Sequence, residues 1–205
     1  NDTVRGQEHD DRIYGETGDD LLYGDAGEDL ILGGDGIDLM VGGEHADRLY
    51  GGNDNDQLFG SGGDDQLYGE AGADLMQGNT GRDRLYGGTG DDVLSGNEDD
   101  DHLMGESGAD SLYGNAGEDL LDGGEGADSL SGGNHNDVLL AGVGLGKILR
   151  GDDGDDIIVG ADSGGNDGDL FDTIYLGDRI FGGQGNDSIW GLGGADIKIG
   201  RASCR

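Results

Sequence analysis

The residues of this chain best placed to do chemistry are its aspartates, because they return at a fixed interval. Starting at Gly6, sixteen gap-free nonapeptides run to Leu149. The sixth position of these units holds Asp11, Asp20, Asp29, Asp38, Asp47, Asp56, Asp65, Asp74, Asp83, Asp92, Asp101, Asp110, Asp119, Asp128 and Asp137, with Gly146 the exception. Asp2 fits the same column one unit earlier. Beyond Leu149 the extra residue Arg150 shifts the phase, after which Asp156, Asp178, Asp187 and Asp196 stand in comparable places. Carboxylates in so regular a row would repel one another if stacked. A cation between neighbours turns repulsion into attraction, and hard oxygen ligands, with carbonyls from open turns completing a shell of six or more, select calcium. Magnesium demands a smaller octahedron and keeps its water, while zinc prefers His or Cys, which this column does not contain. Paired carboxylates can also serve acid and base catalysis, but a pair repeated identically along the chain lacks the one differentiated pocket that catalysis requires.

The elements that position this column follow from the rest of the unit. Glycine opens fifteen of the sixteen units, only Ala141 departing, and the eighth position is always aliphatic or Met, from Ile13 and Leu22 to Leu139 and Ile148. The first six residues of a unit are rich in Gly, Asp, Asn and Glu and are expected to turn; the last three are expected to extend, with the eighth side chain inward. Two units close one flattened coil of eighteen residues with a strand on each side. The fold class is therefore all-β: a parallel β-roll, a right-handed two-sheet β-solenoid with eighteen residues per coil and calcium-binding turns, and no helix. Ordering eighteen residues costs more than burying two aliphatic side chains recovers, so metal must make up the difference.

Composition agrees. The chain has 205 residues, 46 acidic against 11 basic, for a formal charge of −35, and only 32% are hydrophobic. That balance ordinarily means disorder unless something neutralises it. No basic patch exists to meet phosphates, which excludes nucleic acid as a partner, and no apolar run is long enough to span a membrane. Pairs eighteen residues apart, from Asp2/Asp20 to Asp119/Asp137, number fourteen. Fourteen divalent ions would bring the formal charge from −35 to −7. Folding should thus be calcium binding itself, from a disordered apo state. Calcium is expected to be weaker where Gly146 deprives Asp128 of its partner and where Arg150 disturbs the spacing from Asp137 to Asp156.

The units match G-G-x-G-x-D-x-U-x and so resemble the calcium-binding nonapeptide repeats of RTX (repeats-in-toxin) proteins. The resemblance covers most of the chain. It implies that the aspartate column binds calcium through side chains, together with turn carbonyls such as those of Gly15, Gly18, Gly33 and Gly36. The second glycine is often replaced, as by Glu16, Asp25, Glu70, Asn79 and Glu106, which a carbonyl ligand tolerates; replacement of the fourth by His9, His45, Asp54, Asp99 and His135 should disturb local geometry more. Proteins with such repeats include secreted proteases, lipases, alginate epimerases, pore-forming toxins and surface adhesins of Gram-negative bacteria, commonly exported through a one-step (type I) secretion channel. The resemblance therefore implies a secreted, extracellular, calcium-folded module without catalytic residues of its own; the alternative to a structural or adhesive module is the noncatalytic repeat region of an RTX enzyme or toxin.

Residues 1–149 form the regular roll, 150–181 an irregular continuation with an insertion, and 182–199 two further repeats. Residues 200–205, which contain the single Cys204, abandon the repeat and read like a translated sequencing adapter. The repeat is already running at Asn1, so the piece is expected to belong to a longer chain. All seven Tyr occupy the ninth position, and Tyr50, Tyr68 and Tyr86 recur every eighteen residues. This ladder is either a platform for carbohydrate, a cell surface or an adjacent domain, or simply stacking between exposed strand residues, which β-propensity favours. The four His build no zinc spacing, and the scattered Thr form no ice-binding row.

Overall fold

A computed structural model describes residues 1–160, 179–190 and, for the backbone alone, 197–199. Within these, twenty-one strands run from Thr3–Glu8 to Ile197–Ile199. In chain order the odd strands form one eleven-stranded sheet and the even strands a ten-stranded one, all parallel, each strand pairing with the next but one. The register is eighteen residues: Val4 opposes Leu22, Leu22 opposes Met40, and Ile13 opposes Ile31. This is the expected roll of stacked coils, and no helix occurs among the described residues.

The strands are longer than the three residues the composition of the unit suggests. Most span six, as in Arg48–Asn53 and Arg84–Thr89, because ladder pairing resumes after the opening glycine. The chain nonetheless bends there, since the second position of each unit has positive φ, at 72° for Glu16, 71° for Glu70 and 81° for Asn79. At the fourth position, the replacements of glycine keep the turn intact. His9, His45, Asp54, Asp99 and His135 lie at φ 74–83°, inside the left-handed well, while the glycines of that position with positive φ spread over 103–152°. A left-handed residue with a side chain carries strain, and among the described residues the surrounding stack holds fifteen of them.

The core is a double file one side chain deep. Each coil contributes two eighth-position residues, and Leu22, Ile31, Met40, Leu49, Leu58 and their successors to Leu139 are fully buried. Near the end of the regular array the structure corrects the gap-free count. Ile148 pairs with Ser129 and Leu149 with Leu130, nineteen apart, so the inward residue is Leu149, and the extra residue lies in the turn before Ile148 rather than at Arg150. The unit Ala141–Arg150 therefore has ten residues, and Lys147, not Gly146, stands in the aspartate column. Past the insertion the roll resumes: Arg179–Phe181 pairs with Ile148–Arg150, Ser188–Trp190 with Ile157–Val159, and Ile197–Ile199 with Arg179–Phe181. Residues 161–178 of the irregular continuation and the tail 200–205 lie outside the described residues.

On the outside of one sheet Tyr50, Tyr68 and Tyr86 stack face to face, with centroids 4.6 and 4.9 Å apart and planes within 5°. Tyr14 and Tyr113 are exposed, but the three stacked rings are half-buried by one another.

Candidate metal-binding turns

The strand pairing carries each column aspartate to the inner side of a turn, against its counterparts one coil before and one coil after. Asp20 to Asp156 are all buried, with Asp65 fully excluded from solvent. Asp11 and Asp187 are half-buried, Asp2 is exposed at the open first coil, and Asp178 and Asp196 lie outside the described residues.

Burying one carboxylate per nine residues requires an account of both its oxygens. Oδ1 is committed to the backbone: the N–H of each column aspartate donates to Oδ1 of the aspartate one coil later, from Asp11 to Asp29 through Asp119 to Asp137, at 2.7–3.0 Å. The residue after the column in the next coil donates its N–H back to the aspartate carbonyl, as Gln66 does to Asp47 at 2.9 Å. Oδ2 has no such partner. In fifteen aspartates, Asp11 to Asp119 together with Asp137 and Asp156, this second oxygen is buried and accepts no hydrogen bond.

What surrounds that oxygen is polar and of one sign. The opening glycine of each unit leaves room where Oδ2 sits: a Cβ on Gly87 would lie 2.5 Å from Asp92 Oδ2 and 2.6 Å from the Gly105 carbonyl oxygen of the next coil. A Cβ on Gly15 would meet Asp20 Oδ2 and the Gly33 carbonyl in the same way, at 2.7 and 2.5 Å. The absent side chain thus marks a cradle where a carboxylate oxygen and a carbonyl oxygen from adjacent coils converge. Gly87→Ala should push both oxygens apart. It is expected to raise the calcium needed for half-folding and cost about 1–3 kcal/mol of saturated stability, measured by calcium titration against the parent chain.

Electrostatics says the same. Burial, reinforced by neighbouring aspartates, pushes the Asp65 and Asp101 carboxyls up to about 8, and those of Asp47, Asp56, Asp83, Asp92 and Asp137 up to about 7, against the hydrogen bond each accepts. Asp110, Asp119 and Asp156 rise to about 6 by burial, and Asp29, Asp38 and Asp74 are also raised. Carboxylates buried in this way stay ionised at neutral pH only with a counter-charge beside them. Among the described residues no cluster of three or more His, Cys, Asp or Glu gathers, so a bound cation must draw most of its ligands from main-chain carbonyls. Oxygen-only ligation of this kind suits calcium.

Two features of the turns were not apparent in the sequence. A second acidic row stands one residue before the column, and it caps in the opposite direction. Asp10, Asp19, Asp64, Asp91 and Asp100 accept backbone N–H groups from the following coil at 2.9–3.1 Å. The N–H of Arg82 is the main reason that Asp64 is held below the usual carboxylate range. Second, the spacing from Asp137 to Asp156 is not spoiled, because the ten-residue unit restores register. The Asp137 N–H reaches Asp156 Oδ1 at 2.9 Å, and Asp156 Oδ2 is orphaned like the rest.

Asp128 differs. Its Oδ2 accepts from the Lys147 ammonium at 2.6 Å, both side chains being fully buried. The same ammonium donates to the Gly124 carbonyl at 2.8 Å and to the Ala141 carbonyl.

Comparison with known families matches the RTX calcium-binding nonapeptide repeat (4 copies) to residues 5–40, 41–76, 77–112, 113–145 and 175–200. No curated protein matches the chain.

Proposed function

The chain belongs to the RTX calcium-binding nonapeptide repeat family, and from that premise we propose that it is a roll folded by calcium at the aspartate turns, working as the noncatalytic module of a secreted bacterial protein. One observation carries the reading: fifteen buried carboxylate oxygens, each lacking a hydrogen-bond partner. A side chain in that condition is held in place by a cation or by a proton. The column aspartates would hold calcium through Oδ2, with carbonyls of the turn residues around them, and the metal supplies the positive charge that lets adjacent coils approach. One ion per orphaned oxygen makes fifteen, one more than the fourteen column pairs of the regular array.

The parent protein's activity resides in whatever sequence accompanies this module. Repetition of one turn along the roll supports a scaffold, and the family is typical of secreted bacterial proteins. Submicromolar calcium in a cytosol would leave the chain unfolded for export, and millimolar calcium outside would fold it, so that the concentration gradient acts as the switch.

The test is far-ultraviolet circular dichroism of residues 1–199 during a calcium titration, with magnesium as control. A cooperative gain of β signal specific to calcium is expected. A chain already folded in chelator at neutral pH, or one indifferent to calcium, would overturn the proposal.

A further inference from the structure

We infer that the Lys147 ammonium takes the place of calcium at the Asp128 turn, so that one rung of the roll is closed by a covalently attached cation and needs no metal. This rests on the calcium reading of the other turns, and its test is arranged to fail separately from that reading.

Three departures from the repeat fall in the single unit Ala141–Arg150: alanine at the opening position, one extra residue in the turn, and lysine in the aspartate column. They compensate for one another. In the other units an opening Cβ would collide with that unit's own aspartate Oδ2. With lysine in the column that carboxylate is gone, and Ala141 fits, fully buried. The lysine side chain extends toward the preceding coil, and its ammonium meets Asp128 Oδ2 and the Gly124 carbonyl there and the Ala141 carbonyl of its own unit. Relative to Asp128 these are its own Oδ2, the carbonyl four residues earlier and the carbonyl thirteen residues later. The same relation picks out Asp92 Oδ2, Gly88 O and Gly105 O at an ordinary rung, where Oδ2 and the later carbonyl already converge on the Gly87 cradle.

The ammonium therefore sits among the oxygens that surround each orphaned carboxylate elsewhere. Asp128 is correspondingly missing from the orphaned set although its neighbours Asp110, Asp119 and Asp137 belong to it. The charge balance agrees as well. Exchanging a column aspartate for lysine changes the local charge by the amount one divalent ion would add. An ammonium carries three donors and can satisfy several oxygens at once, and a buried lysine is retained only when its charge is paired in this way.

The experiment is amine acylation of the full chain at saturating calcium, followed by peptide mapping, with the chain in concentrated urea as reference. Lys147 should be modified more slowly than in urea by roughly tenfold or more. Modification at the urea rate would mean that calcium displaces the ammonium, and the inference would fall. In parallel, native mass spectrometry counts calcium on the parent chain and on a variant carrying Ala141→Gly and Lys147→Asp with Gly146 deleted, which turns the unit into an ordinary nonapeptide. The variant should bind at least one ion more; equal counts would count against the inference. If the parent chain binds no calcium at all, the proposed function fails, while slow acylation of Lys147 would still report its burial.

Discussion

Held in chelator and brought from about pH 8 to about pH 4, the metal-free chain is expected to gain β structure cooperatively, the reverse of ordinary acid denaturation. The sign follows from burial. Ten column carboxyls of the folded roll, Asp119, Asp92 and Asp65 among them, titrate near 6 to 8, whereas in the unfolded chain they titrate near 3.9. Groups raised on folding favour the fold below their unfolded value and cease to do so as pH rises through their folded values. Protons thus substitute for calcium at low pH, each protonated Oδ2 becoming a donor that faces carbonyls rather than a bare charge. With calcium present the two ligands add, because each binds the folded roll and not the unfolded chain, so the calcium needed for half-folding should drop as pH falls from about 8 to about 5, while fewer ions are bound because proton and metal compete for one oxygen. Circular dichroism along both pH series checks the pair. A metal-free chain that stays unstructured at pH 4 would refute the prediction.

The second large effect separates the two jobs of one carboxylate. Asp65 accepts the Asp47 N–H through Oδ1 at 2.7 Å and leaves Oδ2 to the cradle. Asp65→Asn can keep the first and lose the second: one calcium fewer by native mass spectrometry, with a modest rise in the half-folding calcium concentration. Asp65→Ala loses both and strands the buried Asp47 N–H, an added cost of about 1–3 kcal/mol. The expected order of calcium requirement is parent, then Asn, then Ala. Equal behaviour of the two variants would show that the hydrogen bond between coils contributes nothing.

Much of this architecture could be read from residue spacing. A gap-free period of nine fixes which residues stack, and the alternation around Leu22 or Leu67 fixes which face is buried, so the coil, the register of eighteen and the aspartate column follow directly. What spacing could not give is how a carboxylate divides its oxygens. The sequence shows Asp65 eighteen residues from Asp47 but not that the approach is a hydrogen bond from a backbone N–H, which is why the carboxylates were expected simply to repel. The six-residue strands escaped for a related reason: Gly, Glu and Asn after the opening glycine look like turn residues, yet the next coil supplies ladder partners to them. The misplacement at Lys147 came from an ambiguity between two adjacent aliphatic residues, Ile148 and Leu149, either of which continues the column. The ten-residue interval from Leu139 to Leu149 and a basic residue beside the acidic column were the signals available.

The double-file core also determines how the molecule would respond to being pulled. Among the described residues each strand pairs only with strands of the adjacent coils, and two inward side chains per coil make up the core, so the sheets tie each coil to its neighbours alone. Tension applied along the stack would peel it from an end, one coil at a time, each eighteen-residue release paying out about 60 Å of chain. With calcium bound, the roll would behave as a series of equal latches; the lysine-closed rung would be the one latch whose strength does not depend on the ion in the surrounding fluid.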